Sequence, residues 1–224
     1  MPSYKKHALF SIIIALPFIH DVFYLSLAVI GASIIDMDHH VKKNNLILMA
    51  TFGILLSLVL YILKLPFFIG FSLIAMSFIF YISKHRGFTH SFFGALLLSF
   101  LLTFFVIGLN SLFNGFNIEI KVSLILISLI LGIIVLNKKI ILPFIVLVII
   151  GIILMNTIIN PYYIFLSIFI GCMSHIILDL FTPSGIRLLN PLSSKKFKKN
   201  IGIVLFILWA LGAFIFNFKE IFQF

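Results

Sequence analysis

Long apolar runs separated by short polar breaks set the pattern of this chain. They cover Leu46–Leu63, Phe67–Ile82, Phe92–Leu109, Val122–Leu136, Ile140–Met155, Tyr162–Leu180 and Ile201–Phe218. At about 1.5 Å per residue, helices of that length cross most of a hydrocarbon core roughly 30 Å thick. Ahead of them, 28 mostly apolar residues lie between His7 and Asp36, interrupted by His20-Asp21. One tilted span there would put an ionisable pair at mid-membrane, which is costly. Two short helices turning at His20-Asp21 avoid that cost. The pattern predicts an all-α polytopic integral membrane bundle of about 8–9 apolar helices, two short ones at the N-terminus, in one domain over residues 1–224.

Composition agrees with this pattern. Hydrophobic residues make up 62% and charged residues 10%, against roughly 25% charged in soluble domains. A surface that cannot be made polar must face lipid. The first apolar stretch is followed by no small-residue cleavage site, so it is read as structure and not as a signal peptide. The single cysteine, Cys172, excludes an intramolecular disulfide and a cysteine zinc cluster; inside an apolar run it reads as a small packing residue.

The net charge of +10 is read as topology before it is read as a nucleic-acid patch, and no nucleic-acid partner is expected. With the N-terminal hairpin and a cytoplasmic N-terminus, one side of the membrane receives Lys5, Lys6, Lys42, Lys43, Lys84, Arg86, Lys138, Lys139, Arg187, Lys195, Lys196, Lys198 and Lys199. The other receives only Lys64, Lys121 and Lys219. That asymmetry follows the positive-inside rule, whereas a single N-terminal span scatters the first clusters to the wrong side. A multi-pass protein of the cytoplasmic (inner) membrane is expected, surrounded by lipid.

The candidate chemistry gathers on the same side. Three stretches, "DMDHH" (Asp36, Asp38, His39, His40), "HRGFTHS" (His85, Arg86, His90) and "SHIILD" (His175, Asp179), hold five of the seven histidines and three of the six acids. His7 opens the first helix and joins them. His175 and Asp179 are i and i+4, so they share a helix face, and Gly171 and Ser174 beside them permit close helix approach. A bland account is also open: an interhelical His–Asp bond that glues the bundle. Arg86 has the fork that suits phosphate or carboxylate, while Lys84 reads as a snorkelling charge at a helix end.

Neutral imidazoles and carboxylates together suit a divalent metal, zinc foremost, with manganese or iron as alternatives. His7, Asp36, Asp38, His39, His85, His90, His175 and Asp179 are the candidate ligands, enough for one or two ions. Paired ions about 3.5–4 Å apart commonly hydrolyse phosphoesters, and a metal lowers the pKa of bound water to about 7. Asp38 or Asp179 is the candidate general base, and Arg86 the candidate that neutralises developing charge.

"HRGFTHS" and "SHIILDLFTPSGIRLLNPLS" (Ser174–Ser193) resemble the membrane-bound metal-dependent hydrolases of the YdjM type, also described as LexA-binding, inner-membrane-associated hydrolases. The family pattern has an early His, then Asp-x-Asp-His, His-Arg-Gly-x-Thr-His-Ser, and Ser-His-x-x-x-Asp leading into Thr-Pro-Ser-Gly. Those elements match at His7, at Asp36, Asp38 and His39, at His85 to Ser91, and at Ser174 to Gly185. Ile35 stands where the family often has proline, which bears on loop shape. The resemblance implies hydrolytic chemistry and supplies no substrate; a membrane-accessible phosphoester or lipid-linked molecule is expected from the location and Arg86.

Rival functions use the same residues. A phosphatidic-acid-phosphatase-type enzyme needs Pro-Ser-Gly-His, but Ile186 follows Gly185 here, and its upstream Ser-Arg is absent. A metal or proton transporter places its site near the midplane on broken helices, not at helix ends. A regulatory membrane protein with a structural metal site is the third. Beyond the last motif, Pro183, Gly185 and Pro191 interrupt helix, and the segment from Thr182 to Lys199 is expected to fold back over the site with Arg187 near its mouth.

Overall fold

A computed structural model describes residues 3–40, 43–84 and 86–221 of the chain. The long elements are helical, as the apolar runs predict: α1 (Tyr4–Ala15), α2 (Val22–Ile34), the single turn α3 (Met37–His40), α4 (Lys43–Ile62), α5 (Phe68–Ile82), α6 (Phe92–Gly115), α7 (Ile120–Val135), α8 (Lys138–Leu154), α9 (Pro161–Leu180) and α10 (Lys199–Ile221). Of these, α4, α6, α9 and α10 are long and apolar enough to cross a membrane, and α2, α5 and α7 are shorter apolar helices. A helix satisfies its interior backbone groups within its own segment, which lets long apolar runs such as these lie in hydrocarbon.

The N-terminal hairpin forms where the charge count places it. Helix α1 ends at Ala15, and Asp21 caps α2 by accepting from the Phe23 amide at 2.8 Å. The same carboxylate accepts from Thr157 Oγ1 at 2.6 Å, tying this turn to the α8–α9 connection. Nearby, Tyr24 donates to the Ile158 carbonyl (2.7 Å) and accepts from the Asn160 amide (2.8 Å). Asn160 caps α9, whose first residue is Pro161, a position where the missing N–H is harmless. These contacts mark one end of the bundle. The start of α1, the end of α2, the start of α6 and the end of α9 meet at the other.

Helices α2 and α9 form the centre and cross closely. A Cβ on Gly171 would collide with the Ala28 carbonyl, and one on Gly31 with the Ile168 carbonyl, so glycine at both positions lets the backbones touch. Cys172 fills this contact as a buried packing residue, its thiol donating to the Gly31 carbonyl. Around the pair lie α1, α6, α7 and α8, with α4 and α5 packed outside. Helix α10 packs on α9 and is tied to the end of α1 and its turn by Trp209 Nε1 to the Ile14 carbonyl and Asn217 Nδ2 to the Pro17 carbonyl. Phe52, Leu55, Leu208 and Phe214 on α4 and α10 point outward, fully apolar. In water such a face would drive association; in hydrocarbon it is the ordinary exterior of a membrane bundle.

Candidate metal centre

Four chain segments deliver polar side chains to one end of the bundle. His7 comes from the first turns of α1, Asp36 from the exit of α2, His90 from the loop before α6, and His175 and Asp179 from the last turns of α9. All five side chains are buried. His90 Nε2 lies 3.3 Å from Asp36 Oδ1 and 3.7 Å from Asp179 Oδ2. His175 Nε2 lies 3.5 Å and 3.7 Å from the same two oxygens. His7 Nε2 stands 3.8 Å from the other oxygen, Asp179 Oδ1, and its ring stacks on that of His175 with centroids 3.8 Å apart.

These separations are long for hydrogen bonds, which centre near 2.9 Å for nitrogen and oxygen. They fit ligands around a shared ion. Two atoms each about 2.0–2.2 Å from a tetrahedral ion are about 3.3–3.6 Å apart. Asp36 Oδ1, His175 Nε2 and both Asp179 oxygens, together with His7 Nδ1, are buried without a hydrogen-bond partner. Buried carboxylates without donors are costly, and a cation among them removes that cost. Among the described residues, two triads have donor atoms close enough to hold an ion: His7, His175 and Asp179, and Asp36, His90 and His175. Donor type, spacing and unsatisfied charge all fit a divalent metal.

Behind this cluster a second layer fixes the rings. His175 Nδ1 lies 2.6 Å from the Ala32 carbonyl. A carbonyl only accepts, so Nδ1 carries the hydrogen and Nε2 presents its lone pair to the centre. His90 Nδ1 faces Asp38 Oδ2 at 3.6 Å, and Thr89 Oγ1 donates to that oxygen at 2.6 Å. Asp38 thus stands one step behind His90, on the far side of the ring from Asp36. Carboxylate–histidine pairs of this kind orient metal-ligating imidazoles. Asp38→Asn is expected to weaken metal affinity about 10–100-fold without removing a ligand, measured by competition with a chelating indicator.

Asp36 and His90 lie outside the helical spans, and each titrates far from its ordinary value. Burial raises the Asp36 carboxyl, but the imidazoles of His90 and His175 outweigh it and hold the group well below the usual carboxylate range. For His90, burial lowers the pKa while the carboxylates of Asp36 and Asp38 push it up to about 9. The charge balance here calls for a positive species, a proton or a metal ion.

The other expected residues fall as follows. His85 lies outside the described residues, and the His39 and His40 side chains are likewise not described although their backbone forms α3. Arg86 is apart from the cluster, bonded through Nη1 to Ser184 Oγ. The segment after α9 does fold back: Leu188 accepts from the Phe92 amide at 2.9 Å, and Ile186 pairs with Phe197 in an antiparallel bridge. Ile186 is buried in the protein. Thr89 and the Ala32 carbonyl were not expected at the site. Thr89 lies within the "FTHS" motif beside His90, while a backbone carbonyl leaves no trace in a sequence. A separate cavity of about 510 Å³ between α1, α2 and α8, lined by apolar residues with Lys5 and Lys139, contains none of the cluster residues.

Fold and site together define a multi-pass helical membrane protein with a buried His/Asp cluster able to hold a metal at one end of the bundle. Residues 1–223 match the YdjM inner membrane protein family, and the chain belongs to that family. No curated protein and no solved structure matches it.

Proposed function

We propose that this protein is a metal-dependent hydrolase whose centre faces the cytoplasm and acts on a membrane-accessible phosphoester. The observation that carries this reading is the buried cluster whose donor atoms form two groups close enough to hold an ion, Asp36 with His90 and His175, and His7 with His175 and Asp179. Orientation rests on the basic side chains that gather on the site side of the chain. Placement of the ligands at helix ends favours an enzyme over a transporter with a midplane site.

Asp36, His90 and His175 would hold one ion, and His7, His175 and Asp179 form the other group able to hold one. A divalent ion there, zinc foremost and manganese or iron as alternatives, would polarise a phosphoryl oxygen and acidify water. The remaining steps belong to the chain. Asp38 and the Ala32 carbonyl keep both imidazoles turned toward the centre. Asp179 presents Oδ1 to His7 while Oδ2 faces the other histidines. If two ions bind, His7, His175 and Asp179 would hold the second.

Purified protein is expected to carry one or two equivalents of divalent metal, and His90→Ala and His175→Ala to carry less than a tenth of that, by elemental analysis after chelator-free purification. Wild-type protein without stoichiometric metal would overturn the proposal. Phosphoester hydrolysis that needs the metal, set against metal flux into liposomes, separates enzyme from transporter.

A further inference from the structure

Beside the cluster, two loops enclose a second polar feature. The loop before α6 and the segment after α9 form a cavity of about 280 Å³ lined by Lys84, Arg86, Arg187 and Lys196, with Gly87, Ser184, Gly185 and Ile186. Among the described residues, four cations line it and no acid does. Four cations converging on one cavity favour an anion among them, most where Arg86 is partly buried. Its volume lies just under the roughly 300–1,000 Å³ of sites that enclose drug-sized ligands, which suits a headgroup more than a whole lipid.

The pocket is built, and is more than a collection of surface lysines. Arg86 sits in the left-handed region at φ 57°, as does Gly185 at φ 63°. For a non-glycine residue that conformation is unfavourable and tends to persist where surroundings impose it. Here it turns the Arg86 guanidinium onto Ser184 Oγ, while Arg86 Nε is buried with no partner. A guanidinium with an unused buried N–H, in an acid-free cavity, is arranged for bidentate contact with an oxyanion. The walls are pinned by the paired amides and carbonyls of Ile186 and Phe197, at 2.8 and 3.0 Å.

Both walls also connect to the cluster. Gly87 is three residues from His90. Ser184 Oγ lies 3.3 Å from Thr182 Oγ1, which donates to the Asp179 carbonyl at 2.7 Å.

We propose that this pocket is a phosphate-binding subsite, with Arg86 and Arg187 as the specificity-determining residues and a phosphate monoester or diester group as the ligand. Its role as part of a substrate site rests on the hydrolase reading above; its capacity to bind phosphate does not. Discrimination follows from the chemistry, since a dianionic or bridging phosphate meets four cations and a fork, whereas a neutral ester meets only unpaired charge.

The test measures phosphate binding without turnover. Inorganic phosphate and glycerol phosphate are titrated into detergent-purified, chelator-stripped protein by phosphorus NMR. Nanodiscs containing phosphatidic acid, against phosphatidylcholine alone, supply the lipid arm. Saturable binding is expected in at least one phosphate arm, weakened about tenfold or more by Arg86→Ala and several-fold by Arg187→Ala. Arg187 is exposed, so its variant keeps the test valid if Arg86→Ala fails to fold. Lys139→Ala, in the other cavity, is expected to leave binding unchanged. Competition between the soluble ester and phosphatidic acid tells which source the pocket takes, and either supports the proposal. Absence of saturable binding, or binding unchanged by both arginine variants, overturns it. Phosphate that binds only metal-loaded protein, regardless of the arginines, overturns the subsite while leaving the metal centre standing.

Discussion

Asp179→Asn is expected to strip the metal while leaving the metal-free protein at least as stable as metal-free wild type. Asp179 faces His90 and His175 with one oxygen and His7 with the other, so its loss removes a ligand from the His7–His175–Asp179 group and a charged neighbour from His90. Structural zinc sites are worth about 10–16 kcal/mol, or about 2.5–4 kcal/mol per ligand for four ligands. That corresponds to affinity lower by roughly 70- to 900-fold. The sign reverses once metal is removed. Asp36 and Asp179 share the same two imidazole nitrogens as nearest partners, and two buried carboxylates there repel each other. Neutralising one relieves that repulsion. Thermal unfolding in detergent, with and without chelator, checks both halves. A His–Asp bond that merely glues helices predicts the opposite for stripped protein, since removing one partner of a buried pair is destabilising. Equal destabilisation with and without chelator would therefore sink the metal assignment.

Much of the grouping was legible in the chain. In a sequence with so few ionisable residues, five histidines and three aspartates in three short stretches stand out, and the alternation of spans puts those stretches at one end. The hairpin was legible for the same reason: His20-Asp21 breaks an apolar run, and Asp21 does cap the second helix.

Individual roles were harder to read. Asp36 and Asp38 look alike as Asp-x-Asp, yet one faces His90 Nε2 and the other His90 Nδ1. Which is which depends on how the chain turns between α2 and α3, and hydropathy carries no information about that. The lock on His175 comes from a backbone carbonyl 143 positions away, and the partner of Arg86 is a serine 98 positions away. Such pairings arise only from tertiary packing. The basic pocket was half legible: Arg86 and Arg187 were each singled out, but their meeting in one cavity depends on the left-handed turns at Arg86 and Gly185.

Gly171→Val should cost the fold about 3 kcal/mol or more and take the metal with it. The clash is with the Ala28 carbonyl on α2, and backbone, unlike a flexible side chain, cannot rotate aside. Ordinary overpacking costs about 1–3 kcal/mol when side chains can yield; here the helices themselves must separate. Loss of metal follows from the geometry. Asp36 lies five residues beyond Gly31, and His175 four residues beyond Gly171, so each ligand sits about 6–8 Å along its helix from the contact. Separation at the glycines moves the two ligands apart and pulls His175 Nδ1 away from the Ala32 carbonyl that sets its tautomer. Gly212→Ala is the matched control, because a Cβ there meets nothing within 4 Å, and alanine in a helix interior is favoured over glycine by roughly 0.5–1 kcal/mol. Unfolding temperature and metal content are measured on both. If Gly171→Val keeps wild-type stability and metal, the α2–α9 contact does not set the spacing of the centre; if it loses both while Gly212→Ala loses neither, the small residues of two helices determine where the ligands stand.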